Sequence, residues 1–90
     1  MGRYFHVRAD GITFAFAWDP AAPGEVLHIY ARHLTTVDEA LATWFDDAAT
    51  DTWNDEHQRF ETENDTHVLY WSWLTEYERV LIITCFRKED

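Results

Sequence analysis

Hydrophobic and polar positions alternate along several stretches of this chain. Ile12, Phe14, Phe16 and Trp18 are separated by Thr13, Ala15 and Ala17, the two-residue period of a half-buried strand. Asp19-Pro20 ends that run, and Pro23-Gly24 lengthens the loop behind it. Upstream, Tyr4 to Arg8 reads as a short strand, joined to the next through the hairpin-turn signal Ala9-Asp10-Gly11. Towards the other end, Thr66 to Leu74 sets Val68, Tyr70 and Ser72 on one face and Leu69, Trp71 and Trp73 on the other. Thr75-Glu76-Tyr77-Glu78 makes a hairpin loop. Arg79 to Phe86 is then almost continuously apolar, as expected of a central strand covered on both faces. One more strand is expected within 52–62.

The period changes at Thr36-Val37-Asp38-Glu39. The Thr36 hydroxyl can accept from the amide of Glu39 while the Glu39 carboxylate accepts from the amide of Thr36, a capping box that starts a helix at 36–38. Val37, Ala40, Leu41, Trp44 and Phe45 follow on one helical face. The helix is expected to end near Asp47, where two adjacent carboxylates oppose the negative end of its dipole. Residues 25–34 fit both periods: Val26, His28 and Tyr30 alternate, while Val26, Ile29, Tyr30 and His33 follow helical spacing. The pattern alone leaves that segment open. The sum is one α+β domain over residues 1–90, an antiparallel β-sheet of four to six strands packed against one or two helices.

Composition narrows the class. With 47% hydrophobic and 17% aromatic residues, the chain can form a core without metal or disulfides, and it does not read as disordered. A single cysteine, Cys85, excludes an intramolecular disulfide; inside an apolar strand it reads as a buried structural thiol. No apolar run approaches the roughly 18 residues of a membrane span, and Met1 to His6 has no long apolar stretch of signal-peptide kind. A soluble cytoplasmic protein is therefore expected, with no membrane partner.

Seven Lys and Arg against 17 Asp and Glu give a formal charge of -10, the wrong sign for a generic nucleic-acid binder. The acid is concentrated in Asp46, Asp47, Asp51, Asp55, Glu56, Glu61, Glu63 and Asp65, which face a single Arg59. Such a run is ordinarily a solvated surface. It also suits a basic protein partner or mimicry of a phosphate backbone, which makes Asp46, Asp47, Asp51, Asp55 and Glu56 candidate partner-binding residues. The carboxylates lack calcium-loop spacing. His28 and His33 are off the spacing of a helical zinc pair, and no Gly-rich phosphate loop exists. No metal or cofactor is expected.

Several short motifs occur in a telling order. They are Phe16-Ala17-Trp18-Asp19-Pro20, His28-Ile29-Tyr30-Ala31-Arg32-His33, Asp38-Glu39-Ala40, Arg59-Phe60, and Ile82-Ile83-Thr84-Cys85-Phe86-Arg87-Lys88. In order and spacing, over about residues 14–88, the chain resembles the BrnT family of toxin ribonucleases, within the wider RelE-like toxin superfamily. Leu34 stands where that family usually has Gly, Arg32 stands where Lys is common, and a strand precedes residue 12. The resemblance implies a helix over 25–33, metal-independent RNA cleavage, and a cognate ribbon-helix-helix antitoxin as partner.

That chemistry requires a base for the ribose 2′-OH, an acid for the leaving oxygen and positive charge at the phosphate. His33 and His57 are the candidate acid–base groups, because an unperturbed imidazole titrates nearest neutrality. Arg32, Arg59 and Arg87 are the candidate phosphate ligands. Each has an ordinary reading beside this one. His33 reads as a structural histidine, His57 as a solvated loop residue, Arg59 as half of a surface ion pair and Arg87 as a solubilising end. Arg32 lies four residues after His28 and repels it when both are charged, which calls for a separate anionic partner. Trp71 and Trp73, with Leu69, read as core or as an aromatic partner surface. The alternative function is a non-catalytic acidic inhibitor, as immunity proteins and anti-CRISPR proteins can be, bound to a basic nucleic-acid-handling protein.

Overall fold

The chain first reverses at Asp10 and Gly11, whose φ values are 52° and 81°. Two positive values in succession match the right-handed twist of the strands they join. These are β1 (Tyr4–Ala9) and β2 (Ile12–Ala17). The computed structural model describes residues 3–88. After β2 come two short helices, α1 (His28–His33) and α2 (Val37–Trp44), and then β3 (Thr50–Asn54), β4 (Arg59–Glu63), β5 (His67–Thr75) and β6 (Arg79–Arg87). The expected α+β fold is what forms: six strands in the order β1-β2-β6-β5-β4-β3, with the helices packed on the sheet.

Every pair is antiparallel except β2 with β6, which run parallel. The sheet is therefore mixed rather than antiparallel throughout. The physical reason lies in the connections. Tight turns join β3 to β4, β4 to β5 and β5 to β6, and such turns impose antiparallel neighbours. β2 leaves the sheet through both helices, and a connection of that length permits a parallel return. Region 52–62 holds parts of two strands rather than one, because Asn54 Oδ1 accepts from the His57 amide at 3.0 Å and Gln58 takes φ 53° between them.

Thr36 and Glu39 form the capping box, with the two hydrogen bonds at 3.2 and 3.0 Å. Ala40 is buried, and Val37, Leu41 and Trp44 pack on the core beside it. α2 stops at Trp44, three residues before the expected Asp47. The Asp46 carboxylate accepts from the Ala48 amide at 2.9 Å, and this local turn competes with another helical residue. Phe45 consequently leaves the packed face and is exposed, though its ring still meets Phe14 edge-on. Residues 28–33 of the open segment are helical. α1 ends at Leu34 in the left-handed conformation, φ 54° and ψ 29°.

One core cluster joins Phe14, Phe16, Leu69, Trp71, Val80 and Ile82 of the sheet to Ile29 of α1 and Ala40 of α2. β5 and β6 sit at the sheet's centre, as expected. Their register shifts after Tyr70, so that Tyr70 pairs with Thr84 while Trp71 pairs with Ile82. Ile83 is the extra residue, and the shift lets Ile82 and Cys85, three apart, both be buried. β6 is not covered on both faces: Leu81, Ile83, Thr84 and Phe86 remain half-buried. Among the described residues no helix is long and apolar enough to cross a membrane.

Candidate functional site

The connection from α1 to α2 straddles the end of β6. The His33 ring lies 5.6 Å from that of Phe86, centroid to centroid. The Leu34 carbonyl accepts from Arg87 Nη2 at 3.2 Å. Phe86 in turn meets Tyr70 edge-on at 5.5 Å, and the Arg59 guanidinium lies 3.8 Å over the Tyr70 ring. The result is a continuous row, Arg59–Tyr70–Phe86–His33, built from β4, β5, β6 and the end of α1. Strand alternation accounts for it. Tyr70 and Thr84 are paired, as are Val68 and Phe86, so Tyr70 and Phe86 share the face opposite buried Leu69 and Cys85.

Each candidate arginine has a carboxylate partner. Arg32 Nε donates to Asp19 Oδ2 at 3.0 Å, and His28 Nδ1 lies 3.8 Å from the same oxygen. Asp19 is buried, and the Ala21 amide and Arg32 hold its carboxyl below the usual range. It is the anionic partner that the spacing of His28 and Arg32 calls for. Arg59 Nε donates to Glu61 Oε2 at 2.9 Å. Arg87 grips Glu39 with two donors, Nε to Oε2 and Nη2 to Oε1, each at 3.0 Å. His67 Nε2 donates to the same Glu39 Oε2 at 3.0 Å. Glu39 thus joins the start of α2 to β5 and β6. The Thr36 amide, His67 and Arg87 together hold its carboxyl down at about 2.

His33 is exposed, yet partial burial, His28 and Arg32 push its pKa below the ordinary value. The neutral imidazole is favoured, the form that accepts a proton. His57 is exposed in the β3–β4 turn, two residues before Arg59, at the opposite end of the row from His33. Burial, followed by the nearby Glu39 charge, pushes the Cys85 thiol up to about 12, which leaves it unreactive.

His33 and Arg87 therefore meet at the end of β6, Arg59 lies at the far end of the same row with His57 near its partner Glu61, and Arg32 is turned to Asp19. The residues that link them, Tyr70, Phe86 and Glu39, were missing from the sequence-derived site. The alternation that set Tyr70 against Trp71 was the available signal for Tyr70. Nothing local marked Phe86, which lay in a run expected to be buried.

The acidic candidates lie from the end of α2 to the turn after β3. Asp46 also accepts from Asn64 Nδ2 at 2.9 Å, and Asp51 accepts from the Thr62 hydroxyl at 2.6 Å. Asp55 accepts from Gln58 Nε2 at 3.2 Å. Asp47 and Glu56 are exposed and make no side-chain hydrogen bond among the described residues. β3 is an edge strand with Trp53 exposed. Among the described residues, no group of three or more His, Cys, Asp and Glu side chains could hold a metal ion.

Comparison of the chain with protein-family models, curated proteins and solved structures yields no match.

Proposed function

We propose that this chain is a metal-independent, BrnT-like ribonuclease, a cytoplasmic toxin held in check by a ribbon-helix-helix antitoxin. The row Arg59–Tyr70–Phe86–His33 is the observation that carries the reading. Aromatic rings offer stacking surfaces to unpaired bases whatever their identity. Here two rings lie between a cation and a histidine that favours its neutral form. His33 accepts the ribose 2′-OH proton as the 2′-oxygen attacks phosphorus and the 5′-oxygen departs. Arg87 supplies positive charge at that phosphate through Nη1, which makes no hydrogen bond among the described residues. Arg59 and Tyr70 hold a neighbouring nucleotide. His57 lies beyond Arg59, at the other end of the row from His33, so of the two candidate acid–base groups only His33 acts and solvent protonates the departing 5′-oxygen. Arg32 positions the α1 end through Asp19.

The test is cleavage of single-stranded RNA by the purified protein, free of antitoxin, in EDTA. His33→Ala should lower the rate by about 10²–10⁴. Arg59→Ala should chiefly weaken RNA binding. The rate should fall as pH drops below the ordinary histidine value of 6.5, because protonated His33 cannot act as base. No cleavage by the wild type, or equal cleavage by His33→Ala, overturns the reading.

A second reading rests on its own observation. All three candidate arginines are neutralised by carboxylates, while Asp47 and Glu56 near the β3 edge have no partner among the described residues. An acidic inhibitor that binds a basic nucleic-acid-handling protein fits that arrangement. Its binding should weaken steeply with salt and with Asp47→Lys/Glu56→Lys. Binding insensitive to both would remove it.

A further inference from the structure

Beneath the end of α2, three indoles meet edge to face. The Trp44 and Trp71 centroids are 4.4 Å apart at 65°. Trp44 and Trp73 are 6.0 Å apart at 88°, and Trp71 and Trp73 are 5.1 Å apart at 87°. Together with Thr62 and Asp51 they line a partly enclosed cavity of about 160 Å³. That is well below the roughly 300–1,000 Å³ of a drug-sized or cofactor site, and it suits a single head group. We infer that this cavity binds an alkylammonium group, with the indoles as its walls and the Asp51 carboxylate as its counter-charge.

Three features of the cavity favour a cation. Indole faces carry negative potential and attract ammonium groups more strongly than other aromatic side chains do. A chain of hydrogen bonds fixes the carboxylate. Trp71 Nε1 donates to Thr62 Oγ1 at 2.8 Å, and the Thr62 hydroxyl donates to Asp51 Oδ1 at 2.6 Å. Asp51 Oδ2 makes no hydrogen bond or ion pair among the described residues, so one oxygen is free for a ligand. Finally, Trp44 is the last residue of α2, and no basic residue occupies that helix's last turn. The negative end of the helix therefore adds to the potential rather than being offset by a side chain. Asp51 is exposed on the edge strand β3, so its carboxylate lines the cavity while staying open to solvent. The site is separate from the row on the other face of the sheet and stands whether or not the chain cleaves RNA.

The experiment is a titration of the intact protein, followed by the indole N–H resonances and by calorimetry. The probes are choline, its neutral isostere 3,3-dimethylbutan-1-ol, and N-acetyl-trimethyllysine amide. Choline should shift the Trp44, Trp71 and Trp73 resonances, and the neutral isostere should bind at least about tenfold more weakly. Asp51→Asn keeps the shape and should reduce choline affinity by about tenfold. Trp73→Leu, at the half-buried wall, should abolish binding while the melting transition persists. Tighter binding of the lysine derivative than of choline identifies a protein side chain as the ligand, and the reverse identifies a free amine; either supports the site. Equal binding of choline and its neutral isostere, unchanged affinity in Asp51→Asn, or no shift at millimolar choline overturns the proposal.

Discussion

Leu34 occupies a backbone conformation that a branched side chain resists. Its φ of 54° places it in the left-handed region, where a Cβ crowds the following carbonyl. Glycine relieves that crowding, and it is the residue most often found where a helix ends this way. The Leu34 side chain is 62% exposed, so its removal loses little packing. Leu34→Gly should raise stability by about 0.5–1 kcal/mol in urea denaturation; a loss would show that Leu34 makes contacts worth more than the strain. Glu39 acts in the opposite direction, since it binds the Thr36 amide, His67 and Arg87 together. Its carboxyl titrates at about 2 rather than at its ordinary 4.5. A depressed acid contributes stability that is complete above the unfolded value and is lost as pH falls through the folded one. Acid unfolding should therefore gain a steep component between pH 4.5 and about 2. Glu39→Gln should flatten that component and lower stability at neutral pH; an unchanged acid profile would contradict the role.

Among the elements, β6 separates two neighbouring isoleucines. Ile82 is 1% exposed and packs in the core, whereas Ile83 is the half-buried extra residue of the β5–β6 register shift. Apolar density alone made Ile83 as good a core residue as Ile82, with the same expected cost of truncation. The shift changes that expectation. Ile82→Ala should destabilise by about 2–5 kcal/mol through lost transfer energy and a cavity, and Ile83→Ala by clearly less, measured as shifts in denaturant midpoint. Equal costs would place both side chains in the core. α2 obeys its sequence more closely, because a capping box is decided by residues three apart. α1 obeys it less, because six residues cannot sustain a helix without tertiary packing; its existence depends on Ile29 reaching the core.

At the scale of the molecule, a formal charge of -10 repels itself in the compact state. Screening should relieve this, so added sodium chloride from about 0.05 to 0.5 M should raise the melting temperature. A fall would mean that the ion pairs of Glu39, Asp19 and Glu61 outweigh the general repulsion. The sheet arrangement also decides which candidate side chains share a row. Arg59 and His33 are distant in sequence and come onto one row because β4, β5 and β6 lie side by side.

Local information sufficed wherever the physics was local. The Asp10-Gly11 turn, the alternation of Ile12 to Trp18, the capping box at Thr36 and the apolar density of β5 and β6 are short-range features, and each element began where its residues implied, although α2 ended at Trp44 rather than near Asp47. The candidacy of His33, Arg59 and Arg87 likewise rested only on the chemistry of each side chain. Tertiary structure alone decided the parallel join of β2 to β6, the helical state of residues 28–33 and the half-buried place of Phe86 between Tyr70 and His33. It also chose the carboxylate that each arginine meets and the cavity that Trp44, Trp71 and Trp73 line together with Asp51. These depend on contacts between distant segments, whose energies no window of neighbouring residues contains.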